Sequence, residues 1–460
     1  MKRIRASQLL WTITLSTFLP FTVLAQEAVD GEEEEAELLL DQHEDWEETL
    51  RYGIESEVVE LLDELAEHQV EELADDVLEL LSERTNPRLL RNGLNYFSAI
   101  EDPRAEQVAR QLLSDREIPQ VDIAVEALRY LADSVDVADP ETLVTVRGLL
   151  GVQSERVAAQ AALTLGSLGD VAGLPEMYRV FEQRGEENVR RNIVLGVGRM
   201  GPAAREAEEW ILPLLDDPRA SETLRQYAID TLGHIGSEDA REPLKELLDS
   251  DNSFMRAYAI SSLVMLDASG VTEELTRALR DDDWRVRQIA VEGVGEAEHT
   301  DSLGAVRYMA RRDPDHRVAT SAVRTIGRFE SDEAYEVLRE LVSGRDAAIQ
   351  ARLAAVDILI ENDLDNSLEV LVEIVEGERN RGDDPVIQRI ASGFAGAEHP
   401  GLREVFGSFL EHEEVTMRLL GIQGIGRNGF SEFREDIEAL TAERHSATVR
   451  RYAEEALENL

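Results

Sequence analysis

The chain has 460 residues, 43% of them hydrophobic and 5% aromatic; this exceeds the length at which a single compact core stops growing and predicts several domains or a repeat array. Its 95 acidic and 47 basic residues give a formal net charge of −48, which disfavours nucleic acid as a partner because binding to phosphates needs clustered positive charge. It has no cysteine, which excludes disulfide bonds, thiolate catalysis and cysteine-ligated zinc.

The basic residues are almost all arginine, since Lys2 and Lys245 are the lysines of the chain. A large acidic excess with few lysines resembles the composition of proteins from salt-loving organisms, in which carboxylates keep the surface soluble in brine. A basic protein partner, attracted by the negative field, is the other explanation of the acidity. The composition is compatible with both.

Residues 1–25 have the pattern of a secretory signal peptide. A basic start, MKRIR, precedes an apolar stretch that Pro20 interrupts, and Val23 and Ala25 occupy positions −3 and −1 of a cleavage site. An uncleaved membrane anchor is the alternative, because about 20 residues are just enough to span a bilayer. Both interpretations place the rest of the chain outside the cytoplasm, in the periplasm or the extracellular space, and cleavage would leave no stable membrane insertion.

Two short regions follow this segment. Residues 26–45 begin with QEAVDGEEEEAE, whose low apolar content and run of glutamates predict an acidic disordered linker. Residues 46–85 include LLDELAEHQVEELADDVLELLSE, whose apolar spacing predicts N-terminal capping helices.

A motif typified by LRQYAIDTLGHIG, residues 224–236, recurs to the C-terminus. Counting from Leu224 as position 0, the anchor, residues at +4, +5, +8 and +11 share one helix face, and glycine at +9 and +12 is predicted to mark the helix end. The pattern returns every 30 to 37 residues, with anchors at Leu89, Gln120, Val157, Val189, Leu224, Met255, Val286, Val318, Ala351, Ile387, Met417 and Val449.

A second amphipathic segment lies between consecutive anchors, as in REPLKELLDSD, residues 241–251. Each unit is therefore predicted to be a helical hairpin whose apolar faces are covered by its neighbours. Residues 86–460 are predicted to form an all-α solenoid of about twelve such repeats.

Signatures such as VRRNIVLGVGRMG (189–201) and VRQIAVEGVGEA (286–297) resemble HEAT repeats, and are most similar to the short variety first described in phycobilisome (PBS) lyases. The resemblance covers about residues 86–460 and implies a HEAT-like or armadillo-type superhelix.

The resemblance also implies a structural ladder, in which arginine at +1 pairs with an acid just before the anchor helix of a neighbouring repeat. The arginines at +1 are Arg190, Arg225, Arg256, Arg287, Arg352, Arg418 and Arg450. The candidate acids include Asp251, Asp283, Asp315 and Asp384. At Ala158, Ala319 and Gln388 the arginine is missing, so the ladder is expected to be broken there.

No catalytic residue, cofactor or metal site is predicted. Some HEAT-repeat proteins are enzymes, and deoxyhypusine hydroxylases carry His-Glu pairs at +2 and +3 that bind two irons. The His-Glu pairs of this chain, at His43 and His412, lie outside the motif. Bilin lyase activity, which the repeat subtype suggests, fits an exported and very acidic chain poorly.

Position +3 is the predicted contact position for a partner. In HEAT solenoids the second helix of each hairpin lines the concave face, and here that is the helix that carries the anchor. Position +3 holds Tyr227, Tyr258 and Ile289 in three successive repeats, and tyrosine suits an interface with its rigid apolar ring and polar tip. The alternative is that +3 packs against the neighbouring repeat. Asp230 and Glu292, at +6, are expected to make this surface acidic, which suits a basic ligand.

The sequence therefore favours an exported, non-catalytic scaffold that binds other proteins and no nucleic acid. Two alternatives stay open: an enzyme or enzyme accessory of the PBS-lyase type, and a structural envelope component that associates with itself.

Overall fold

The computed structural model describes residues 43, 45–83, 86–114, 121–377 and 384–460. The predicted signal peptide, all of the predicted linker except residues 43 and 45, and the anchor Gln120 lie outside the described residues.

The described part of the chain is an all-α solenoid of paired helices and contains no strand. Even-numbered helices from α4 onward correspond to the anchored segments, and we call them anchor helices together with α2. Their bounds are α2 Glu55–Glu67, α4 Pro87–Ala99, α6 Val121–Ser134, α8 Glu155–Ser167, α10 Glu187–Arg199, α12 Glu222–His234, α14 Ser253–Asp267, α16 Trp284–Glu296, α18 His316–Arg328, α20 Ile349–Asn362, α22 Pro385–Gly396, α24 Val415–Asn428 and α26 Ala447–Glu458.

Odd-numbered helices precede each anchor helix, and we call them partner helices. Their bounds are α1 45–52, α3 Ala74–Glu83, α5 Glu106–Ser114, α7 Pro140–Leu149, α9 Leu174–Gln183, α11 Glu208–Ile211, α13 Arg241–Leu247, α15 Thr272–Ala278, α17 Leu303–Arg312, α19 Asp332–Ser343, α21 Leu364–Gly377, α23 Arg403–Leu410 and α25 Arg434–Leu440.

Each described anchor is the third residue of its helix and is buried. The residue just before the helix often supplies the N-cap: the side chains of Ser221 and Asp283, for example, accept hydrogen bonds from the first turns of α12 and α16. Local capping and the burial of one apolar face therefore determine where these helices begin.

The chain divides into two compact units, the first ending at Pro243 and the second beginning at Leu244. In the first unit the anchor helices α2 to α12 pack against one another in series, and in the second unit α14 to α26 do the same. Most partner helices pack on the anchor helix that follows them. The core of each unit is the apolar layer between the two rows, built mainly from leucine, valine, isoleucine and alanine.

Buried threonines at +7 link consecutive anchor helices. The hydroxyl of Thr164 donates to the carbonyl oxygen of Leu128 at 2.7 Å, Thr231 donates to Val194 at 3.0 Å, and Thr325 donates to Val291 at 3.0 Å. Each bond satisfies a hydroxyl that would otherwise be costly to bury.

The glycines at +9 and +12 have different roles, which corrects the prediction that both mark the helix end. Gly233, at +9, lies inside α12 and is buried, whereas Gly236, at +12, follows the helix with a φ of +71°. At +9 the missing Cβ allows close packing: a Cβ on Gly166 would lie 2.3 Å from the carbonyl oxygen of Gly196 in α10. Position +12 is the one that ends the helix, in the left-handed conformation.

Candidate protein-interaction surfaces

Tyr227, Tyr258 and Ile289 are all half-buried. Tyr227 belongs to α12 of the first unit, where the guanidinium carbon of Arg191 lies 5.9 Å from its ring centroid. Tyr258 and Ile289 belong to α14 and α16 of the second unit. Each side chain therefore keeps an accessible part while it packs within its own unit.

Other residues at +3 show what this position contacts. Asn192 donates to the carbonyl oxygen of Ala159 on the preceding anchor helix at 3.2 Å, and Ser321 donates to Glu292 at 2.7 Å. Position +3 thus lies beside the neighbouring repeat, as the packing interpretation expects. Ser321 and Ile390 are buried there, whereas Tyr227, Tyr258 and Ile289 keep part of their surface available to a partner.

The acidic surface expected at +6 is not continuous. Asp230, Glu292 and Asp357 are acidic, but the same position holds Leu195 in α10 and Arg324 in α18. Acidic residues at +6 are therefore interrupted by apolar and basic ones.

Two arginines of the predicted ladder each form an ion pair in which two guanidinium nitrogens donate to the two oxygens of one carboxylate. Arg256 contacts Asp281 at 2.8 and 2.7 Å, and Arg287 contacts Asp313 at 2.8 Å through both nitrogens. Burial by itself would raise the pKa of Asp281, but the hydrogen bonds from Arg256 and from the N–H of Asp283 outweigh it, so that the pKa lies below its usual value.

The acids of these pairs differ from those predicted. Asp283, Asp315 and Asp384 are N-caps, which accept from backbone N–H groups at 2.9, 2.9 and 2.8 Å, and Asp251 is exposed. The ladder acid lies two residues before the cap and also accepts the cap residue's own N–H, at 2.8 Å for Asp281 and 2.9 Å for Asp313. The Asp-x-Asp spacing is the signal that could have identified it.

Three other ladder arginines bind backbone carbonyl groups, two in the turn before their own helix and one near the end of the preceding partner helix α19. Arg225 contacts the oxygen of Ala220 at 3.3 Å, Arg352 that of Val342 at 2.9 Å, and Arg418 that of His412 at 2.7 Å. Burial lowers the pKa of Arg352. Arg225 and Arg418 therefore hold the turn before their helices, and Arg352 joins α20 to the end of α19.

The last two ladder arginines differ again. The guanidinium group of Arg190 stacks on Phe181, 4.2 Å from the ring centroid. The Nε atoms of Arg190 and Arg450 are buried and have no hydrogen-bond partner within the described ranges. Six of the seven arginines therefore have three kinds of structural contact, and the seven do not form one uniform ladder.

An aromatic and arginine stack at the start of α14, α16 and α18 was not predicted. The guanidinium carbon of Arg285 lies 4.4 Å from the ring centroid of Phe254 and 5.1 Å from that of Trp284, and that of Arg317 lies 3.4 Å from Trp284. Phe254 is 46% exposed. The signal was present one and two residues before the anchors, where these repeats have aromatic residues and arginine.

The side chains of the described residues offer no cluster of three metal-ligating groups. His412 accepts a hydrogen bond from the N–H of Glu414 at 3.1 Å, and Glu44, beside His43, lies outside the described residues. Among the helices that the structure describes, none is both long enough and apolar enough to cross a membrane.

The solved structures that resemble this chain include nuclear transport proteins of the HEAT-repeat class. Kap95p, in a structure in which it binds RanGDP, is 13% identical with a TM-score of 0.53, over 84% of this chain and 60% of that one. A mutant of Kap121p is 12% identical with a TM-score of 0.45, over 94% of this chain and 54% of that one. This chain therefore spans little more than half of either.

The complex of CpcE and CpcF of phycocyanin lyase from Nostoc sp. PCC7120 is 18% identical with a TM-score of 0.36, over 51% of this chain and 92% of that one. No curated protein sequence matches the chain. The family model described as Spirochaete HEAT repeat protein matches residues 50–456, nearly the whole solenoid. With this match and the paired-helix architecture, the chain belongs to the Spirochaete HEAT repeat protein family.

Proposed function

We propose that the protein is an exported, non-catalytic scaffold that binds other proteins along its anchor helices. Its family and its solenoid fold support a role in protein interaction. Kap95p, a protein of the same fold, binds RanGDP. The export part of the proposal depends on the signal-peptide pattern of residues 1–25, and the preference for a basic partner depends on the net charge of −48.

The partial exposure of Tyr227 and Tyr258 is the observation that carries this proposal. In both units a side chain at +3 packs against its own repeat array and still has accessible surface. A tyrosine held in this way loses little conformational entropy when a partner covers it, and it offers both apolar area and a hydroxyl group. Recognition by such preformed side chains needs no chemical step.

Affinity capture tests the proposal. The full chain is used as bait in an envelope extract at low and at high salt, beside the variant Tyr227→Ala/Tyr258→Ala. Tyr308→Ala is the matched control, because this tyrosine lies on the partner helix α17 and is 68% exposed. The urea unfolding midpoint of each bait shows whether a loss of binding reflects a loss of structure.

A small set of proteins retained by the unaltered chain and by Tyr308→Ala, but lost from the double variant, would support the scaffold and locate its contact surface. Release of these proteins at high salt would support a basic partner, since exposed ion pairs are screened. Reduced stability with unchanged capture would show that +3 is a packing position only. If no bait retains a specific protein, the scaffold proposal fails, and self-association, measured by light scattering, becomes the leading alternative.

A further inference from the structure

Two arginines in the stack at the start of α14, α16 and α18 have the same surroundings. Arg285 lies on Phe254 of the preceding repeat and 3.4 Å from Asp283, and Arg317 lies on Trp284 of the preceding repeat and 2.7 Å from Asp315. Each site therefore combines an aromatic ring from one repeat with the N-cap carboxylate of the next. A planar guanidinium group suits this combination, because it can stack and donate hydrogen bonds at once.

Phe254 is the incompletely covered end of this stack. Arg285 contacts its ring, yet 46% of the residue is exposed, and it is the one exposed phenylalanine among the described residues. An exposed aromatic ring beside arginine is the composition typical of an interface hot spot.

An open groove of about 1020 Å³ in the second unit lies at the start of α14, where Ser253, the residue before Phe254, is one of its lining residues. Five carboxylates and three guanidinium groups line this groove. Asp281 is already paired with Arg256, and Arg277 lies 3.5 Å from Asp249.

The carboxylates of Asp251 and Asp282 are exposed and accept no ion pair from the described residues. They lie on the two walls of the groove, one before α14 and one before α16. The groove therefore presents a surplus of negative charge next to an open aromatic ring.

We propose that this edge of the second unit binds an extended, arginine-containing segment of a partner protein. One arginine stacks on Phe254, and further basic side chains pair with Asp251 and Asp282 in the groove. The inference rests on the proposed function, because it assumes a protein partner, and it specifies the chemistry of one contact. Arginine is favoured over lysine because only the planar guanidinium group reproduces the two internal examples.

Peptide binding to the full chain tests this inference. The probes are three fluorescein-labelled peptides of about twelve residues in a Gly/Ser background, with three arginines, three lysines or three glutamates at the same positions. Fluorescence anisotropy gives Kd at about 20 mM and about 200 mM salt. The variants are Phe254→Ala and Asp251→Asn/Asp282→Asn, with Tyr308→Ala as the exposed aromatic control.

The arginine peptide is expected to bind more tightly than the lysine peptide, and the glutamate peptide is expected not to bind. Phe254→Ala should weaken binding of the arginine peptide about three- to tenfold, the range of a partly exposed cation–π contact, and should affect the lysine peptide less. The double asparagine variant should reduce the salt dependence for both basic peptides. Tyr308→Ala should leave all three Kd values unchanged.

Equal binding of the arginine and lysine peptides, with no effect of Phe254→Ala, would overturn the inference and leave only general attraction to an acidic protein. Tightest binding of the glutamate peptide would also overturn it, in favour of Arg277 and Arg280 in the groove. Captured partners that Tyr227→Ala/Tyr258→Ala loses and Phe254→Ala retains, without selective peptide binding, would refute this contact and keep the proposed scaffold.

Discussion

The guanidinium group of Arg287 and the carboxylate of Asp313 meet at two points, with both nitrogen–oxygen distances 2.8 Å. The side chains are only 12% and 4% exposed, so both charges are largely removed from water. The pair joins α16 to the turn before α18, and Asp313 also accepts the N–H of Asp315 within that turn. A single carboxylate therefore stabilises a helix–turn contact and the conformation of the turn itself.

Replacing Asp313 by asparagine should destabilise the protein by about 2–4 kcal/mol, because it leaves the charge of Arg287 buried without a counterion. Urea unfolding followed by circular dichroism measures the effect. Glu340→Gln is the matched control: it removes the partner of Arg307, in a pair whose side chains are 40% and 44% exposed. That change should cost less than about 1 kcal/mol. Equal effects of the two substitutions would show that burial of the Arg287 pair contributes nothing.

Asp315 makes the stability dependent on pH. Hydrogen bonds from the Arg317 side chain lower its pKa from 3.8 to about 2, against the opposing effect of burial. Because the pKa is lower in the folded than in the unfolded chain, the unfolded chain takes up the proton first as pH falls. The stabilisation is therefore complete above about pH 5 and is lost as pH falls from about 4 to about 2.

Asp315→Asn isolates this charge, since asparagine also caps a helix. The variant should be less stable than the unaltered chain at about pH 6, and the difference should shrink towards zero near pH 2. Urea midpoints at both pH values provide the measurement. A difference that stays constant with pH would mean that the Asp315 charge does not contribute.

The helices and their order were predictable because each depends on local information. An N-cap residue, an anchor three residues later and an apolar face of helical spacing are enough to locate a helix such as α12. Asp281, the acid that pairs with Arg256, was not among the candidate acids, because Asp281 and Asp283 both precede the same helix. Which of them faces the arginine depends on the turn, in which the N–H of Asp283 donates to Asp281.

The stack of Phe254, Arg285, Trp284 and Arg317 was missed for a different reason. Its members lie one or two residues before the anchors, where the repeat pattern does not specify a residue type. Each ring contacts an arginine from the next repeat. Sequence spacing alone does not show that residues about 30 positions apart become neighbours until the packing of successive anchor helices is known.

Glu330 occupies position +12, where four other repeats have a glycine with positive φ, and its own φ is +44°. A left-handed conformation costs a residue with a side chain about 1–2 kcal/mol. Glycine avoids this cost, but its greater freedom in the unfolded chain cancels part of the gain. Glu330→Gly should therefore raise the free energy of unfolding by about 0.5–1 kcal/mol. The urea midpoint should increase accordingly.

Gly236→Ala is the reciprocal test at the same repeat position. The backbone there has a φ of +71°, and an added Cβ would meet no atom within 4 Å, so only the backbone conformation opposes the change. This variant should lose about 1 kcal/mol. Opposite signs for the two substitutions are required; a loss of stability in both would show that Glu330 makes a contact worth more than its strain.

Gly196 allows α8 and α10 to approach more closely than any other residue would. A Cβ added to it would lie 2.3 Å from the carbonyl oxygen of Ala162, a backbone atom within a helix that cannot move alone. Gly196→Ala must therefore separate the two helices along their buried contact. We expect a loss of about 2–3 kcal/mol, at the upper end of the usual cost of overpacking.

Gly148→Ala, in α7 of the same unit, is the control for the intrinsic effect of replacing a helical glycine. A Cβ there would meet no atom within 4 Å, so the variant should gain up to about 1 kcal/mol from the higher helix propensity of alanine. Urea unfolding of both variants separates close packing from propensity. If Gly196→Ala were as stable as Gly148→Ala, the separation of α8 and α10 would be adjustable, and the recurrence of small residues between anchor helices would have no role in setting it.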